Sequence, residues 1–289
     1  MATVTAAMVK VLRERTQAPM MECKNALDVA AGDIEGAIKV LRERGIAKQA
    51  KRADRDTAEG VVRARTGSGN RGAAAVMVSC ETDFSARNDN FQALAEAAIC
   101  AALELPAASA TPESVLAARA GSGTVQALLD DAGNTIRENM AVRSVARFEG
   151  TCGAYQHFDG RSGAIVEVSA EGPVDSAEFG KVLRELCMHI VAAVPAPLAV
   201  DASGIPQKEM DAEREIFIKQ AMESGKPQAI AEKMVGGRLQ KFVAERALTQ
   251  QNYVLDSEKT VAVWLDARAA ACGVKQVKIT GFARVRIGE

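Results

Sequence analysis

Two segments of the chain repeat one order of elements, and this repeat limits the folds that the sequence can adopt. The first copy runs from Gly60 to Leu103 and the second from Ala141 to Ile190. Each copy predicts a strand, a glycine-containing turn, a second strand, a loop, and a helix that opens at a phenylalanine. The repeat therefore predicts an α+β fold in which two related subdomains, each with an antiparallel sheet, face each other.

The loop between the second strand and the helix differs between the copies. Residues 80–90 read Cys-Glu-Thr-Asp-Phe-Ser-Ala-Arg-Asn-Asp-Asn, whereas residues 170–178 read Ala-Glu-Gly-Pro-Val-Asp-Ser-Ala-Glu. The first loop sets Asp83 beside the large apolar ring of Phe84, in a chain with only 4% aromatic residues. Two interpretations are open at this point: a functional tip, or a Phe84 that folds back into the core while Asp83 caps the loop. If the two copies share a fold, the function that distinguishes them lies in the first loop.

The N-terminal residues 1–46 predict a small bundle of three helices of the ubiquitin-associated type. Thr5 and Asp33 are suitable N-caps for the first and third helices, and Pro19 suits the start of the second. Apolar residues recur at helical spacing up to Gly45, where we expect the third helix to end. Residues 47–59 lose this spacing and predict a polar linker.

The rest of the chain predicts two core subdomains and a helical hairpin. Residues 60–140 form subdomain N, and residues 141–206 form the first part of subdomain C. Residues 207–250 predict two helices joined by the sharp turn Gly225–Pro227, so the helices must run antiparallel and project from the body. Residues 251–289 predict a short helix and a strand that returns to the second sheet.

Composition and missing motifs argue against several classes of function. A formal net charge of −1 gives little basis for non-specific binding to DNA. The sequence has no phosphate-binding glycine loop, no nucleophile elbow and no H-E-x-x-H motif. Its six cysteines are dispersed without a C-x-x-C pair, which favours reduced thiols. We therefore expect a protein that is not an enzyme and that holds no cofactor or metal ion.

Nothing in the hydrophobicity pattern suggests a membrane or secreted location. The first ten residues lack the charged and then apolar order of a signal peptide. No stretch approaches the roughly 20 apolar residues that cross a bilayer. We expect the protein to be cytoplasmic.

The residues alone leave two other functions open. The basic stretch 48–55, with Lys48, Lys51, Arg52 and Arg55, could serve an RNA-associated module, although acidic residues are interleaved with it. The helical hairpin could make the chain an adaptor that forms a homodimer, or it could pack on its own body.

Several segments resemble the bacterial elongation factor Ts family, in the same order along nearly the whole chain. The Thr82-Asp83-Phe84 loop, with Phe91 opening the next helix, is similar to the T-D-F signature of that family. The other similar segments are Thr16–Leu27, Gly32–Glu35, Tyr155–His157, Ser224–Pro227 and Ile230–Val235.

The resemblance implies a guanine nucleotide exchange factor that binds no nucleotide itself and promotes GDP release from the GTPase elongation factor Tu. It implies that Asp83 and Phe84 enter the partner near its magnesium and phosphate site. It also implies further partner contacts at Arg13, Met20, Met21, Lys24, His157, Met234 and Val235. Many members of the family continue with a C-terminal helix that contacts the partner. This sequence stops at Arg286-Ile-Gly-Glu289, so we expect that contact to be absent.

Overall fold

Three N-terminal helices pack around a small apolar core of their own. The structure is a computed structural model that describes residues 4–16, 18–50, 52, 54–223 and 228–289. Helix α1 covers Ala6–Thr16, α2 covers Met20–Val29 and α3 covers Ile34–Ala50. Leu12, Cys23 and Leu27 are fully buried between them. The predicted caps are confirmed, since Thr5 Oγ1 accepts the N–H of Met8 at 3.3 Å and Asp33 Oδ2 accepts that of Gly36 at 2.8 Å.

The prediction that Gly45 ends the third helix is wrong, because α3 continues to Ala50. A glycine inside a helix weakens it by only about 1 kcal/mol relative to alanine, and the residues that follow Gly45 form helices well. Gly45 also lies so close to Asn134 that a Cβ atom at this position would overlap the Asn134 amide group. Gly45 therefore allows α3 to pack closely on Asn134 and does not end the helix.

The first copy of the repeat has the predicted order of elements, with a short helix in place of part of the loop. Two helices follow this copy, Pro112–Ala117 and Val125–Ile136. Thr111 caps the first by accepting the N–H of Ser114, and Thr124 caps the second by accepting the N–H of Ala127. The short strands Arg119–Ala120 and Gly123–Thr124 form an antiparallel pair that was not predicted. The first copy and the segment that follows it comprise β1 (Glu59–Thr66), β2 (Arg71–Cys80), α4 (Asp83–Ala86), α5 (Asp89–Glu104), α6 (Pro112–Ala117), β3 (Arg119–Ala120), β4 (Gly123–Thr124) and α7 (Val125–Ile136).

The second copy continues into the hairpin and the return segment. Its two long strands, Met140–Gln156 and Ser162–Glu171, are antiparallel, with Thr151 opposite Val168 and Gln156 opposite Gly163. The hairpin helices contact each other, and Arg238 donates to Gln220 Oε1 at 2.8 Å, while the predicted turn Gly225–Pro227 lies outside the described residues. The elements are β5 (Met140–Gln156), β6 (Ser162–Glu171), α8 (Ala177–Ala192), α9 (Gln207–Glu223), α10 (Gln228–Arg246), β7 (Asn252–Tyr253), β8 (Asp256–Thr260), α11 (Val261–Ala271) and β9 (Lys275–Arg286).

The long strands form one five-stranded sheet in the order β1-β2-β5-β6-β9. The α+β class is confirmed, and β9 lies beside β6 as the prediction of a returning strand requires. The sequence predicted one sheet for each copy, whereas the strands of both copies belong to this single sheet.

The chain divides into two compact units. The first unit comprises residues 1–63, 76–145 and 286–289, and the second comprises residues 64–75 and 146–285. The second unit has a large apolar core in which Phe179, Leu183 and Trp264 are buried. In the first unit, α5 buries Phe91, Leu94 and Ile99 completely.

Candidate functional site

The Thr82-Asp83-Phe84 segment forms a capped helical turn at the end of a buried strand. Thr82 has an extended backbone, with φ −130° and ψ 155°, and its Oγ1 accepts the N–H of Ser85 at 3.2 Å. The short helix α4 begins at the next residue, Asp83. The predicted loop therefore contains ordered structure, and Thr82 acts as an N-cap.

Phe84 points its ring into solvent. Its side chain is 81% exposed, whereas the next two residues, Ser85 and Ala86, are buried. The interpretation in which Phe84 folds back into the core is therefore wrong. A phenylalanine ring held in water leaves about 1.5–3 kcal/mol of burial free energy available to a binding partner.

Asp83 lies beside Phe84 and pairs with Arg87 on the next turn. The Arg87 guanidinium donates to Asp83 Oδ2 at 3.1 Å, and the two side chains are 79% and 48% exposed. An exposed pair of this kind contributes little to stability, at most about 1 kcal/mol. Asp83 can therefore change partners at low cost.

The base of the turn is held by residues that the sequence analysis missed. Glu138, two residues after α7, accepts the Thr82 hydroxyl at 2.7 Å and the N–H groups of Glu81 and Thr82 at 3.1 Å each. In return, Glu81 Oε1 accepts the N–H of Asn139 at 2.6 Å. We call Glu81, Thr82, Glu138 and Asn139 the carboxylate clasp. The residues that these hydrogen bonds join are 56 to 58 positions apart in sequence, so no local pattern signals the contact.

Cys80 is the last residue of β2, two positions before Thr82, and its thiol is buried. Its Sγ donates to the backbone oxygen of Thr82 at 3.2 Å. Burial, reinforced by the nearby Glu138 carboxylate, raises the pKa of the Cys80 thiol to about 12. The thiol is therefore protonated at neutral pH, and its role here is structural.

The four predicted contact residues of the N-terminal bundle are all exposed. Met20 and Met21 open α2 and are 57% and 63% exposed, while Cys23 on the same helix is buried. Arg13 and Lys24 are exposed on α1 and α2. Met20 and Met21 are thus surface residues rather than core methionines. Two flexible apolar side chains at the surface suit a contact with another protein.

The other predicted contact residues belong to the second unit. His157 Nδ1 is hydrogen-bonded to the Tyr155 hydroxyl at 2.8 Å, and the adjacent Phe158 is 92% exposed. Phe158 is an exposed aromatic residue that the sequence analysis did not select. In the hairpin, Met234 is half-buried and Val235 is buried, so Val235 offers little surface to a partner.

The arginines of the basic stretch make intramolecular contacts. Arg52 donates to the Gly133 carbonyl at 2.8 Å, near the C-terminal end of α7. Arg55 pairs with Glu81 at 3.4 Å. Lys51 and the side chain of Lys48 lie outside the described residues. The contacts of Arg52 and Arg55 give the RNA hypothesis no support.

The described ranges contain neither a cluster suited to a metal ion nor a helix suited to a membrane. Across these residues, no group of three or more His, Cys, Asp or Glu side chains is placed to hold a metal ion. In the same ranges, no helix combines the length and the apolar character needed to cross a bilayer.

Comparison with known proteins gives matches along nearly the whole chain. The family model described as Elongation factor TS matches residues 81–289, which include the Thr82–Phe84 turn. Elongation factor Ts of Thioalkalivibrio sulfidiphilus is 42% identical over 291 residues, covering 99% of this chain and 93% of the relative. The protein of that name from Maricaulis maris is 40% identical over 299 residues, with 100% and 93% covered. That from Clostridium botulinum strain Alaska E43 is 39% identical over 290 residues, with 99% and 93% covered.

These matches, together with the fold and the capped turn, define the class of the protein as a translation elongation factor. The chain belongs to the elongation factor Ts family.

Proposed function

We propose that this chain promotes GDP release from elongation factor Tu by inserting Asp83 and Phe84 near the magnesium and phosphate site of the GTPase. It does so as a binding protein in the cytoplasm, without covalent chemistry and without a cofactor. The observation that carries the proposal is the 81% exposure of Phe84 on a capped turn. An apolar ring in water, held on an ordered backbone, is suited to enter an apolar slot in a partner.

The two side chains have different tasks in this mechanism. Phe84 acts as a wedge, because its ring gains burial only when it enters the partner. Asp83 supplies a carboxylate that reorganises the polar groups supporting the bound magnesium ion. The cation and the backbone around the phosphates hold the nucleotide, so a small displacement there weakens GDP binding.

The turn cannot supply all of the binding energy. If the factor weakens GDP binding, GDP must weaken binding of the factor by the same ratio. The factor must therefore bind the nucleotide-free partner tightly, and this requires further contact areas. The exposed Met20 and Met21 of α2 are the strongest candidates, and His157 with its exposed neighbour Phe158 is a second group.

The release rate of fluorescent GDP from elongation factor Tu tests the proposal. The wild-type protein should accelerate release, and Phe84→Ala and Asp83→Ala should each reduce the acceleration. Leu255→Ala is a matched control, since Leu255 is also exposed, by 74%, but lies between β7 and β8. No acceleration by the wild-type protein would refute the function. Full activity of both loop variants would refute the wedge while leaving exchange in place.

A further inference from the structure

We infer that Glu138 is the positioning residue of the Asp83–Phe84 turn, holding the backbone from which both side chains project. The inference rests on the proposed function, because positioning matters only if the turn acts on a partner. Glu138 need not touch the partner to have this effect. It acts through Glu81 and Thr82.

The Glu138 carboxylate uses both oxygens on the first residues of the turn. Oε1 accepts the Thr82 hydroxyl at 2.7 Å, and Oε2 accepts the N–H groups of Glu81 and Thr82 at 3.1 Å each. Hydrogen bonds to an ionised acceptor are stronger than those between neutral groups. Two of these bonds hold the consecutive N–H groups of Glu81 and Thr82, and the third holds the Thr82 side chain, which directly precedes Asp83.

The Thr82 hydroxyl transmits this constraint into α4. It donates to Glu138 and at the same time accepts the N–H of Ser85 at 3.2 Å. The orientation of the N-cap therefore depends on the Glu138 carboxylate. Because Phe84 lies within the capped turn, the direction of its ring depends on the same bond.

The rest of the clasp fixes Glu138 itself. Glu81 Oε1 accepts the N–H of Asn139 at 2.6 Å, so each glutamate binds the backbone beside the other. The side-chain amide of Asn139 donates to the backbone carbonyl of Arg55 at 2.8 Å. The Arg55 guanidinium forms an ion pair with the Glu81 carboxylate at 3.4 Å. The end of β2, the start of β5 and the segment before β1 are thereby joined at the base of the turn.

Removal of Glu138 leaves three donors without their acceptor and gives the turn more conformations. A contact that is ordered before binding loses less entropy on binding, so a disordered turn binds the partner more weakly. We expect Glu138→Ala to reduce the acceleration of GDP release by about tenfold, which is equivalent to about one charge-assisted hydrogen bond. Glu138→Gln keeps one acceptor oxygen and the shape of the side chain, so it should lie between Glu138→Ala and wild type.

Glu167 on β6 provides a matched control. Its carboxylate also accepts one backbone N–H, from Gly150 at 2.8 Å, and one threonine hydroxyl, from Thr280 at 3.0 Å. Glu167→Ala removes the same kind of bonds in the second unit. It should leave the acceleration of GDP release within about twofold of wild type. A loss equal to that of Glu138→Ala would show a general effect of stability and overturn the inference.

A double-mutant cycle separates positioning from other roles. If Glu138 acts by placing Asp83 and Phe84, the change Glu138→Ala should have little further effect on release in a background that carries both Asp83→Ala and Phe84→Ala. An effect of Glu138→Ala in that background as large as in the wild-type protein would overturn the inference.

Amide hydrogen exchange gives a second measurement that does not depend on the partner. In Glu138→Gln and Glu138→Ala the N–H groups of Glu81 and Thr82 should exchange faster, while those of Leu94 and Ile99 in the interior of α5 should keep their protection. Unchanged exchange at Glu81 and Thr82 would show that the carboxylate does not hold the turn. If the wild-type protein does not accelerate GDP release, the proposed function is wrong. Hydrogen exchange still shows in that case whether the carboxylate clasp forms.

Discussion

The hydroxyl of Thr82 donates to the carboxylate of Glu138 at 2.7 Å, across 56 positions of sequence. This bond connects the N-cap of α4 with the residue pair that precedes β5. The same hydroxyl oxygen accepts the N–H of Ser85. A single side chain thus joins a local cap to a long-range contact, and the exposed Asp83 and Phe84 follow directly after it.

Thr82→Val should destabilise the protein, because it removes the cap and one donor to Glu138 while keeping the side-chain shape. Loss of an N-cap usually costs about 0.5–2 kcal/mol. Thr82→Ser keeps the hydroxyl and should stay within about 0.5 kcal/mol of wild type. Urea unfolding followed by circular dichroism measures both variants. Equal stability of the valine and serine variants would show that the hydroxyl contributes nothing.

Phe84→Ala and Phe91→Ala should have opposite consequences for stability and function. Phe84 is 81% exposed, so its removal should change the free energy of unfolding by less than about 0.5 kcal/mol. Phe91 is fully buried in α5, and its removal should cost about 3–5 kcal/mol. Thermal unfolding separates the two variants, and the GDP-release assay should separate Phe84→Ala from wild type. A marked loss of stability in Phe84→Ala would contradict the exposed position of the ring.

Two glycine-to-alanine changes in the second unit should shift stability in opposite directions. A Cβ atom on Gly153 of β5 would lie 2.8 Å from the carbonyl carbon and oxygen of Leu183, so Gly153→Ala should destabilise the protein by about 1–3 kcal/mol. Gly237 lies in α10, and among the described residues no atom outside the neighbouring helix backbone is within 4 Å of its Cβ position. Gly237→Ala should therefore stabilise the hairpin by about 0.5–1 kcal/mol. Denaturant unfolding curves test both changes, and effects of the same sign would contradict this packing.

His189 should make stability fall as the pH drops below about 7. The side chain is fully buried, its Nδ1 accepts the N–H of Val254 at 3.2 Å, and its Nε2 lies 3.0 Å from Gln251 Oε1. This arrangement requires a neutral ring with the proton on Nε2. Burial lowers the pKa of His189, against the opposing effect of the Gln251 hydrogen bond.

The sign of the pH effect follows from the lowered pKa. Above the unfolded pKa of about 6.5, neither state holds the proton and the full stability is present. As the pH falls toward the lower folded pKa, the unfolded state takes up a proton first and stability decreases. At pH 5.5 the loss can reach about 1.4 kcal/mol. Unfolding of wild type and His189→Gln at pH 7.5 and 5.5 measures this difference. Equal pH dependence in both proteins would contradict the assignment.

Much of the fold could be predicted from the sequence, because it depends on local regularities. The alternation in Ala73–Ser79 and Ala164–Ser169 predicted β2 and β6, and the helical spacing after Phe91 and Phe179 predicted α5 and α8. Caps such as Thr5 and Asp33 act on residues three positions away, so their roles could be predicted as well. The repeat also drew attention to the one loop that differs between its copies.

The tertiary structure alone decided features that depend on distant residues. The continuation of α3 past Gly45 is accompanied by close packing on Asn134, and the joining of all long strands in one sheet requires pairing between the copies. The exposure of Phe84 could not be predicted, since the same residues allow a ring that folds inward. Glu138 has no motif of its own and becomes significant only because the fold places its carboxylate on Glu81 and Thr82. Local free energies fix the elements of this protein, whereas the geometry of its exposed Thr82–Phe84 turn is fixed by hydrogen bonds between segments far apart in the chain.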